Sequence, residues 1–338
     1  MKMKSRSLAL LLMLVLSMIL AACTSSNSDD DNVDENRRKT LTFGHSGVAS
    51  SLDPAHMQEG DSFLVIANLF ETLVNFGEQE ATVVPGLAET WTSSDDGLTY
   101  TFKLRKDVKF HDETDFNADA VVKNFERWSE GNAKDFPYYQ LAFDGFNNPV
   151  IKSVKADGED TVIIELNYPQ ESFLKNLTMS PFSMVSPTSL ELADVEADIE
   201  YIPVGTGPFK FVEGKLNETI IVVKFEEYWQ EELPKLNKIT FKSIPNDIAR
   251  LNALMAKDID LADHINPADR MEIVDDEELQ FYERPFVANI YGDATVIPND
   301  DSMPLVGATI ELLDFVPQLT GFDVLSKVQF EIQVEEEK

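Results

Sequence analysis

Residues 84–105 read VPGLAETWTSSDDGLTYTFKLR. Within this stretch, Glu89–Ser93 and Leu98–Leu104 flank the residues Ser94-Asp95-Asp96-Gly97, which have the composition of a tight turn. In the second flank, apolar residues alternate with polar ones, so one face of a strand is predicted to be buried. The apolar positions are Leu98, Tyr100, Phe102 and Leu104. The stretch therefore predicts an antiparallel hairpin packed on a core.

Further hairpins and strands are predicted on both sides of this one. A second hairpin turns at Ala156-Asp157-Gly158 and joins Val150–Val154 to Val162–Leu166. A third is predicted to turn near Glu213-Gly214 and to continue into Ile220–Phe225. Short strands are predicted over Ile239–Phe241 and Ile259–Ala262.

Helices are predicted between these strands. Apolar residues recur at helical spacing after Asp61, and again after Asn117, and each of these two residues is predicted to cap its helix. A third helix is predicted over Asp247–Ala256. Strands and helices that alternate irregularly predict an α/β fold with mixed sheets.

The N-terminus has the form of an export signal. Lys2, Lys4 and Arg6 precede an apolar run that is too short to cross a bilayer comfortably, and the run ends in Leu20-Ala21-Ala22-Cys23. This ending looks like a bacterial lipobox, so residues 1–22 are predicted to be a lipoprotein signal peptide and Cys23 the lipidated residue. The alternative is ordinary secretory cleavage after Ala22 with a free Cys23. With a single cysteine the chain forms no internal disulfide.

The chain is strongly acidic, with 28 basic and 60 acidic residues and a net charge of -32. Removal of residues 1–22 would leave 25 basic residues against 60 acidic ones, near -35. Such a surface repels nucleic acid and anionic lipid headgroups and is compatible with cationic ligands, although solubility alone would also explain it. Residues 23–40 are predicted to be a disordered acidic tether.

Motifs of the common enzyme classes are absent from the sequence. It has no G-x-S-x-G, no H-E-x-x-H and no P-loop, and Val204–Pro208 resembles a glycine-rich phosphate loop only superficially. The four histidines show no metal-ligand spacing and are predicted to be ordinary surface or loop residues. The sequence therefore predicts no enzyme, no cofactor and no metal site.

Several segments together resemble the family 5 extracellular solute-binding proteins, which serve peptide and sometimes nickel ABC importers. The resemblance covers roughly residues 41–285 and lies in Leu52-Asp53-Pro54, residues 84–91 and 95–105, 108–112, 116–118, 121–122, 203–209 and 246–254 with 258–260. It implies a type II periplasmic-binding-protein-like fold, in which two lobes close on a ligand by a hinge motion.

The resemblance also implies that most of the second lobe is missing. Residues 41–286 are predicted to form the first lobe, and residues 287–338 its C-terminal return segment, with an internal deletion near 285–290. A misassembled gene or a C-terminus of unrelated origin would give the same pattern.

The function implied is that of a lipid-anchored, monomeric binding component on the extracytoplasmic face of the cell membrane. It would capture peptides for an ABC permease. The alternatives are a non-transporting surface lipoprotein that acts through a protein partner, and a receptor for nickel or a metal chelate. Ligand contacts are predicted in three first-lobe loops, although a structural role in turns is an alternative for each. Their residues are His45, Ser46, Gly47, Leu52, Asp53, Gly205 and Thr206.

Overall fold

The computed structural model describes residues 39–47, 51–56, 60–77, 82–195, 202–283, 305–309, 312–313 and 329–330. The predicted signal peptide, Cys23 and the acidic tether up to residue 38 lie outside these residues, as do most of residues 287–338. The predicted limits between the first lobe and its return segment stay predictions.

Seven helices lie in the described part of the chain: α1 (Gly60–Leu69), α2 (Ala118–Glu130), α3 (Pro137–Phe143), α4 (Phe173–Asn176), α5 (Pro187–Val195), α6 (Asp247–Met255) and α7 (Arg270–Val274). Short 3-10 turns occupy Pro54–His56, Ser180–Phe182 and Pro267–Asp269. The strands are β1 (Thr40–His45), β2 (Val74–Phe76), β3 (Val83–Pro85), β4 (Ala88–Ser93), β5 (Thr99–Leu104), β6 (Ile151–Ala156), β7 (Thr161–Leu166), β8 (Phe209–Lys215), β9 (Thr219–Lys224), β10 (Lys238–Ser243), β11 (Leu261–Ala262), β12 (Leu279–Glu283), β13 (Leu305–Thr309), β14 (Leu312–Leu313) and β15 (Gln329–Phe330).

The larger sheet has seven strands in the order β12-β13-β11-β1-β10-β9-β8. Its centre is parallel, because β1 pairs in parallel with both β10 and β11. The outer pairs are antiparallel. This mixed sheet, with helices among its strands, confirms the predicted α/β class. In the sheet, β13 lies between β11 and β12, so residues 305–309 pair with strands that come before residue 284 in the chain.

The smaller sheet has four antiparallel strands in the order β4-β5-β7-β6. It contains the hairpin predicted from residues 84–105, and the side chains of Tyr100, Phe102 and Leu104 are buried as the alternation predicts. The second predicted hairpin is confirmed as β6 and β7.

Two predicted boundaries are wrong. The third hairpin turns between Lys215 and Thr219, so Glu213 and Gly214 lie inside β8 at a register shift opposite Ile221 and Ile220. Helix α1 already begins at Gly60, which places Asp61 within its first turn instead of at its cap.

The sequence of helix α2 explains both where the helix begins and which of its residues are buried. The Asn117 side chain accepts a hydrogen bond from the backbone N–H of Ala120, which satisfies one of the unpaired donors at the helix start. Val121, Phe125 and Trp128 follow at helical spacing and are buried in the core of the four-stranded sheet. A second core lies between α1 and the seven-stranded sheet, and it includes Phe43, Phe241 and Leu261.

None of the helices in the described ranges is long and apolar enough to cross a membrane.

Candidate ligand-binding site

The ends of the three parallel strands bring the first predicted loop together with two other chain segments. His45 is in register with Ser243, and Gly44 is in register with Ala262, so β1, β10 and β11 end at one edge of the sheet. We call residues 45–47, 243–244 and 262–264 the carboxyl edge. In open α/β sheets, ligands bind outside the carboxyl ends of the strands.

Hydrogen bonds fix the loop at the carboxyl edge. The backbone N–H of Ser46 donates to Oδ1 of Asp263 at 3.0 Å, and the hydroxyl of Ser243 donates to the carbonyl oxygen of Gly47. The N–H of Ile244 donates to the carbonyl oxygen of His45 at 2.9 Å. The structure therefore holds His45, at the end of β1, together with Ser46 and Gly47 in one constrained segment.

Arg250 of α6 is the buried side chain that shapes this edge. Its guanidinium donates to the carbonyl oxygens of Ile244 at 2.7 Å, Asp263 at 2.8 Å and His264 at 2.6 Å. It also donates to Oδ1 of Asp247 at 3.0 Å. With 0% of its side chain exposed, Arg250 acts as a rigid internal brace for the loops that follow β10 and β11.

Asp263 is the buried carboxylate of the edge. Burial alone would raise its pKa, but the hydrogen bond from His264 and the charges of His45 and Arg250 outweigh burial and lower the pKa. Asp263 is therefore ionised at neutral pH. Nδ1 of His264 lies 3.2 Å from Oδ2 of Asp263, and 51% of the His264 side chain is exposed.

Leu52 and Asp53 lie in a different environment. We call Asp53, His56, Arg127 and Phe136 the Asp53 cluster. Leu52 is buried in the core of the seven-stranded sheet. Both carboxylate oxygens of Asp53 accept hydrogen bonds from Arg127, and Nδ1 of His56 lies 2.9 Å from Oδ2. Burial would raise the pKa of Asp53, but the hydrogen bonds from His56 and Arg127 hold it well below its usual range. These contacts tie the loop before α1 to α2.

Gly205 and Thr206 belong to a third environment. We call Gly205, Thr206, Glu71, His111 and Trp229 the Gly205 cluster. A Cβ atom on Gly205 would lie 2.1 Å from the carbonyl oxygen of Leu69, so only glycine lets the loop pack against the end of α1. The Thr206 hydroxyl donates to Oε2 of Glu71 at 2.9 Å, and Nε1 of Trp229 donates to the same carboxylate at 3.0 Å.

Two ionisable groups of the Gly205 cluster have shifted pKa values. Burial raises the pKa of Glu71 to about 7, although hydrogen bonds from Trp229, Thr206 and Tyr228 act against it. Burial lowers the pKa of His111 to about 4. Its Nδ1 accepts from the N–H of Gly205 at 3.3 Å and its Nε2 donates to the carbonyl oxygen of Gly207 at 2.9 Å, so the ring is neutral.

The three predicted loops therefore make three different sets of contacts. Only His45, Ser46 and Gly47 lie at the carboxyl edge, and the polar atoms of Asp53 and Thr206 make their contacts in the other two clusters. A ligand role for the latter residues stays a prediction. A separate cleft of about 430 Å³, between Arg105 and Asp160, includes none of the predicted residues.

The prediction for the histidines is wrong at one position, because His45 lies in β1 and is 3% exposed. His111 lies in a turn and is half-buried, and both of its ring nitrogens bond to the backbone of the Gly205 loop. His56 and His264 are exposed loop residues, as predicted. Among the residues that the structure describes, no group of three or more His, Cys, Asp or Glu side chains could hold a metal ion.

Sequence reasoning missed Arg250, Asp263, His264 and Glu71. The run Asn246–Leu254 was recognised as a family segment, but periodicity gives no reason to separate the buried Arg250 from other helix residues. Asp263-His264 follows a predicted strand end, which is the only local indication of a site there.

Comparison with known proteins consistently finds bacterial solute-binding proteins. The model for "Bacterial extracellular solute-binding proteins, family 5 Middle" matches residues 82–294. Heme-binding protein A of Haemophilus influenzae is 35% identical over 68% of this chain and 45% of its own length. The dipeptide-binding protein of Escherichia coli is 31% identical over 73% of this chain and 49% of its own length.

Solved structures agree in fold. The periplasmic binding protein DppA of Helicobacter pylori, in complex with the peptide STSA, superposes with a TM-score of 0.66 at 32% identity. That match covers 75% of this chain and 52% of the other. The chain thus spans about half the length of the relatives it matches.

Proposed function

Because the chain belongs to family 5 of the bacterial extracellular solute-binding proteins, we propose that it binds peptides outside the cell for an ABC importer. Cys23 would carry the lipid anchor, and a permease of the importer would be the partner that receives the peptide. The protein would act as a monomer on the extracytoplasmic face of the cell membrane, and not as an enzyme.

The observation that carries this proposal is the carboxyl edge. A braced loop, 45–47, lies beside a buried ionised carboxylate and a half-exposed imidazole at the ends of three neighbouring strands. Its place outside the carboxyl ends of the strands, where ligands bind in open α/β sheets, supports the proposal.

The predicted loss of most of the second lobe would limit the affinity. A site between two lobes buries most of a ligand, whereas a single sheet edge leaves one side of the peptide in water. We therefore expect dissociation constants in the range of about 10 µM to 1 mM, which corresponds to roughly -7 to -4 kcal/mol.

The test is a thermal-shift screen of the full-length chain against di- to pentapeptides, including STSA, with Ni2+ as a separate arm. A ligand that binds the native state alone raises the unfolding midpoint as its concentration rises above the dissociation constant. We expect a concentration-dependent rise with peptides and none with Ni2+. No shift with any peptide at millimolar concentration would contradict peptide binding by this chain, and a shift with Ni2+ alone would favour the metal receptor.

A further inference from the structure

Helix α6 is apolar on two sides. Leu251 and Leu254 are buried in a core that they share with Ile273 of α7. On another side of the helix, the side chains of Ile248 and Met255 are 67% and 39% exposed. Positions seven residues apart lie on the same side of a helix, so these two side chains form one exposed stripe. A helix that is apolar on more than one side is normally covered on each of them.

The remaining exposed positions along this stripe carry no charge. Ala249, Asn252 and Ala256 are exposed, and they follow Ile248 at helical spacing. Charged residues make up 26% of the chain, and the solvent-facing side of a helix is where they usually lie. The two alanines leave room for another helix to approach closely, and the amide of Asn252 can both donate and accept a hydrogen bond. The stripe therefore has the composition of an interface.

Helix α7 extends this surface. It lies beside α6, since both helices pack into the same small core and Nζ of Lys257 lies 3.0 Å from Oε1 of Glu278. The side chains of Met271 and Val274 of α7 are 59% and 53% exposed. Of the seven large apolar side chains that are exposed in the described ranges, four therefore lie on these two short helices, and such a concentration marks an interaction surface. We call Ile248, Asn252, Met255, Met271 and Val274 the α6–α7 face.

Acidic residues surround the α6–α7 face. Residues 247–278 contain ten acidic residues and three basic ones. Of these three, Arg250 is buried and Lys257 is paired with Glu278. Glu272 and Asp275, on α7 and at its end, are exposed. A second copy of the chain would bring the same acids together, and a membrane would bring anionic headgroups to them, so charge disfavours both as occupants.

We propose that the α6–α7 face binds a basic amphipathic helix of a protein partner. The apolar side of such a helix would cover Ile248, Met255 and the exposed apolar side chains of α7. Its Lys or Arg residues would lie opposite Glu272 and Asp275, so that the charges of the two surfaces are complementary. This inference goes beyond the proposed function, because it requires neither a bound peptide nor transport.

The experiment uses a Leu/Lys peptide of about 18 residues as the probe, with Leu at helical spacing on one side. Calorimetry in about 0.1 M salt measures its affinity for the full-length chain. Ile248→Ser should weaken binding roughly three- to tenfold, and Ile248→Ser combined with Met255→Ser should weaken it further. Leu141→Ser is the matched control, because Leu141 is 69% exposed on α3 and lies outside the face, and it should bind as the wild-type chain does.

A second set of variants tests the charge. Glu272→Gln combined with Asp275→Asn should also weaken binding roughly three- to tenfold and reduce its dependence on salt. Glu126→Gln combined with Glu130→Gln removes the same charge from exposed positions of α2, which packs on the four-stranded sheet. This control pair should change the affinity by less than about twofold.

The proposal is overturned if the wild-type chain does not bind the Leu/Lys peptide or if Ile248→Ser binds it equally well. Equal losses in the two pairs of charge variants would also overturn it, because the net charge of the chain would then hold the peptide. Sedimentation and binding to phosphatidylglycerol vesicles test the other occupants. A dimer or a vesicle complex that Ile248→Ser weakens would assign the face to a second copy or to a membrane instead. None of these results bears on binding of STSA, so the proposed function is tested separately.

Discussion

The Asp53 cluster and the carboxyl edge contain the same three kinds of residue in different arrangements. Each has an aspartate buried in the fold, an arginine from a nearby helix and a half-exposed histidine whose Nδ1 lies within 3.2 Å of the carboxylate. The two arginines differ in what they bind. Arg127 donates to both oxygens of Asp53, whereas Nε of Arg250 is 4.0 Å from Oδ1 of Asp263.

The difference separates a structural ion pair from the proposed site. The carboxylate of Asp53 is saturated by contacts within the protein, so it joins the loop before α1 to α2. Arg250 instead donates to the carbonyl oxygens of three loop residues, and the shape of the backbone at the carboxyl edge depends on it. Residue type alone therefore does not distinguish the two regions, and the positions of the donors do.

Asp53→Asn should have the largest effect on stability. It leaves the guanidinium of Arg127, which is 12% exposed, without a charged partner, and broken buried pairs cost about 3–5 kcal/mol. Urea unfolding of the variant and the wild-type chain measures the change in the free energy of unfolding. Asp160→Asn, which breaks exposed pairs with Lys103 and Lys106, is the control and should cost much less. If both variants lost the same free energy of unfolding, the buried pair of Asp53 would stabilise the fold no more than the exposed pairs of Asp160 do.

Arg250→Lys should lower both stability and affinity. An ammonium cannot hold three carbonyl oxygens in the fork geometry of a guanidinium, so we expect a loss of about 2–3 kcal/mol in the free energy of unfolding. Peptide binding should also weaken, because the loops at the carboxyl edge lose their brace. Arg127→Lys is the matched control, which should destabilise the protein and leave peptide affinity as it is. If both variants changed affinity alike, the two regions would not differ in the way proposed.

Glu71 should give a pH dependence opposite in sign to that of the two aspartates. Its pKa of about 7 lies above the ordinary 4.5, so its contribution to stability is present below about pH 4.5 and is lost as pH rises towards 7. The lowered pKa values of Asp53 and Asp263 act the other way, since their contribution is lost as pH falls below the ordinary value. Urea unfolding at several pH values measures this, and Glu71→Gln should remove the loss between about pH 4.5 and 7. A variant with the wild-type slope would show that another group titrates there.

The smallest effects on stability are expected from the two exposed histidines. His56→Gln and His264→Gln should each change the free energy of unfolding by less than about 1 kcal/mol, because half of each ring already contacts solvent. Urea unfolding at pH 7 checks both. A much larger loss in His264→Gln would indicate that the ring supports the fold.

The hairpins with strong turn residues could be predicted from sequence, and the weaker ones could not. Ser94–Gly97 and Asp157-Gly158 lie where tight turns occur, and both hairpins are confirmed. At Glu213-Gly214 the glycine suggested a turn, but the chain turns later, at Asn217, which adopts a left-handed φ of 70°. Glycine in a strand can mark an irregular pairing as well as a turn, and local sequence does not distinguish the two.

The site could be predicted only in part, because its members are distant in sequence. The loop at 45–47 is predicted, like the other two candidate loops, only as a first-lobe loop that could contact a ligand. Its partner Asp263 lies 217 residues away from Ser46, and only the parallel pairing of β1 with β11 brings them together. Leu52-Asp53-Pro54 and Gly205-Thr206 were selected by their family resemblance, which does not separate residues that hold the fold from residues that bind.

The four histidines provide one direct test, because they report on all three regions. His45 and His264 lie at the carboxyl edge, His56 in the Asp53 cluster and His111 in the Gly205 cluster. Titration of the full-length chain with STSA, followed through the imidazole Cε1–H resonances and assigned by single His→Gln variants, maps where the peptide binds. We predict that the resonances of His264 and His45 shift and that those of His56 and His111 do not. Shifts confined to His56 or His111 would contradict binding at the carboxyl edge.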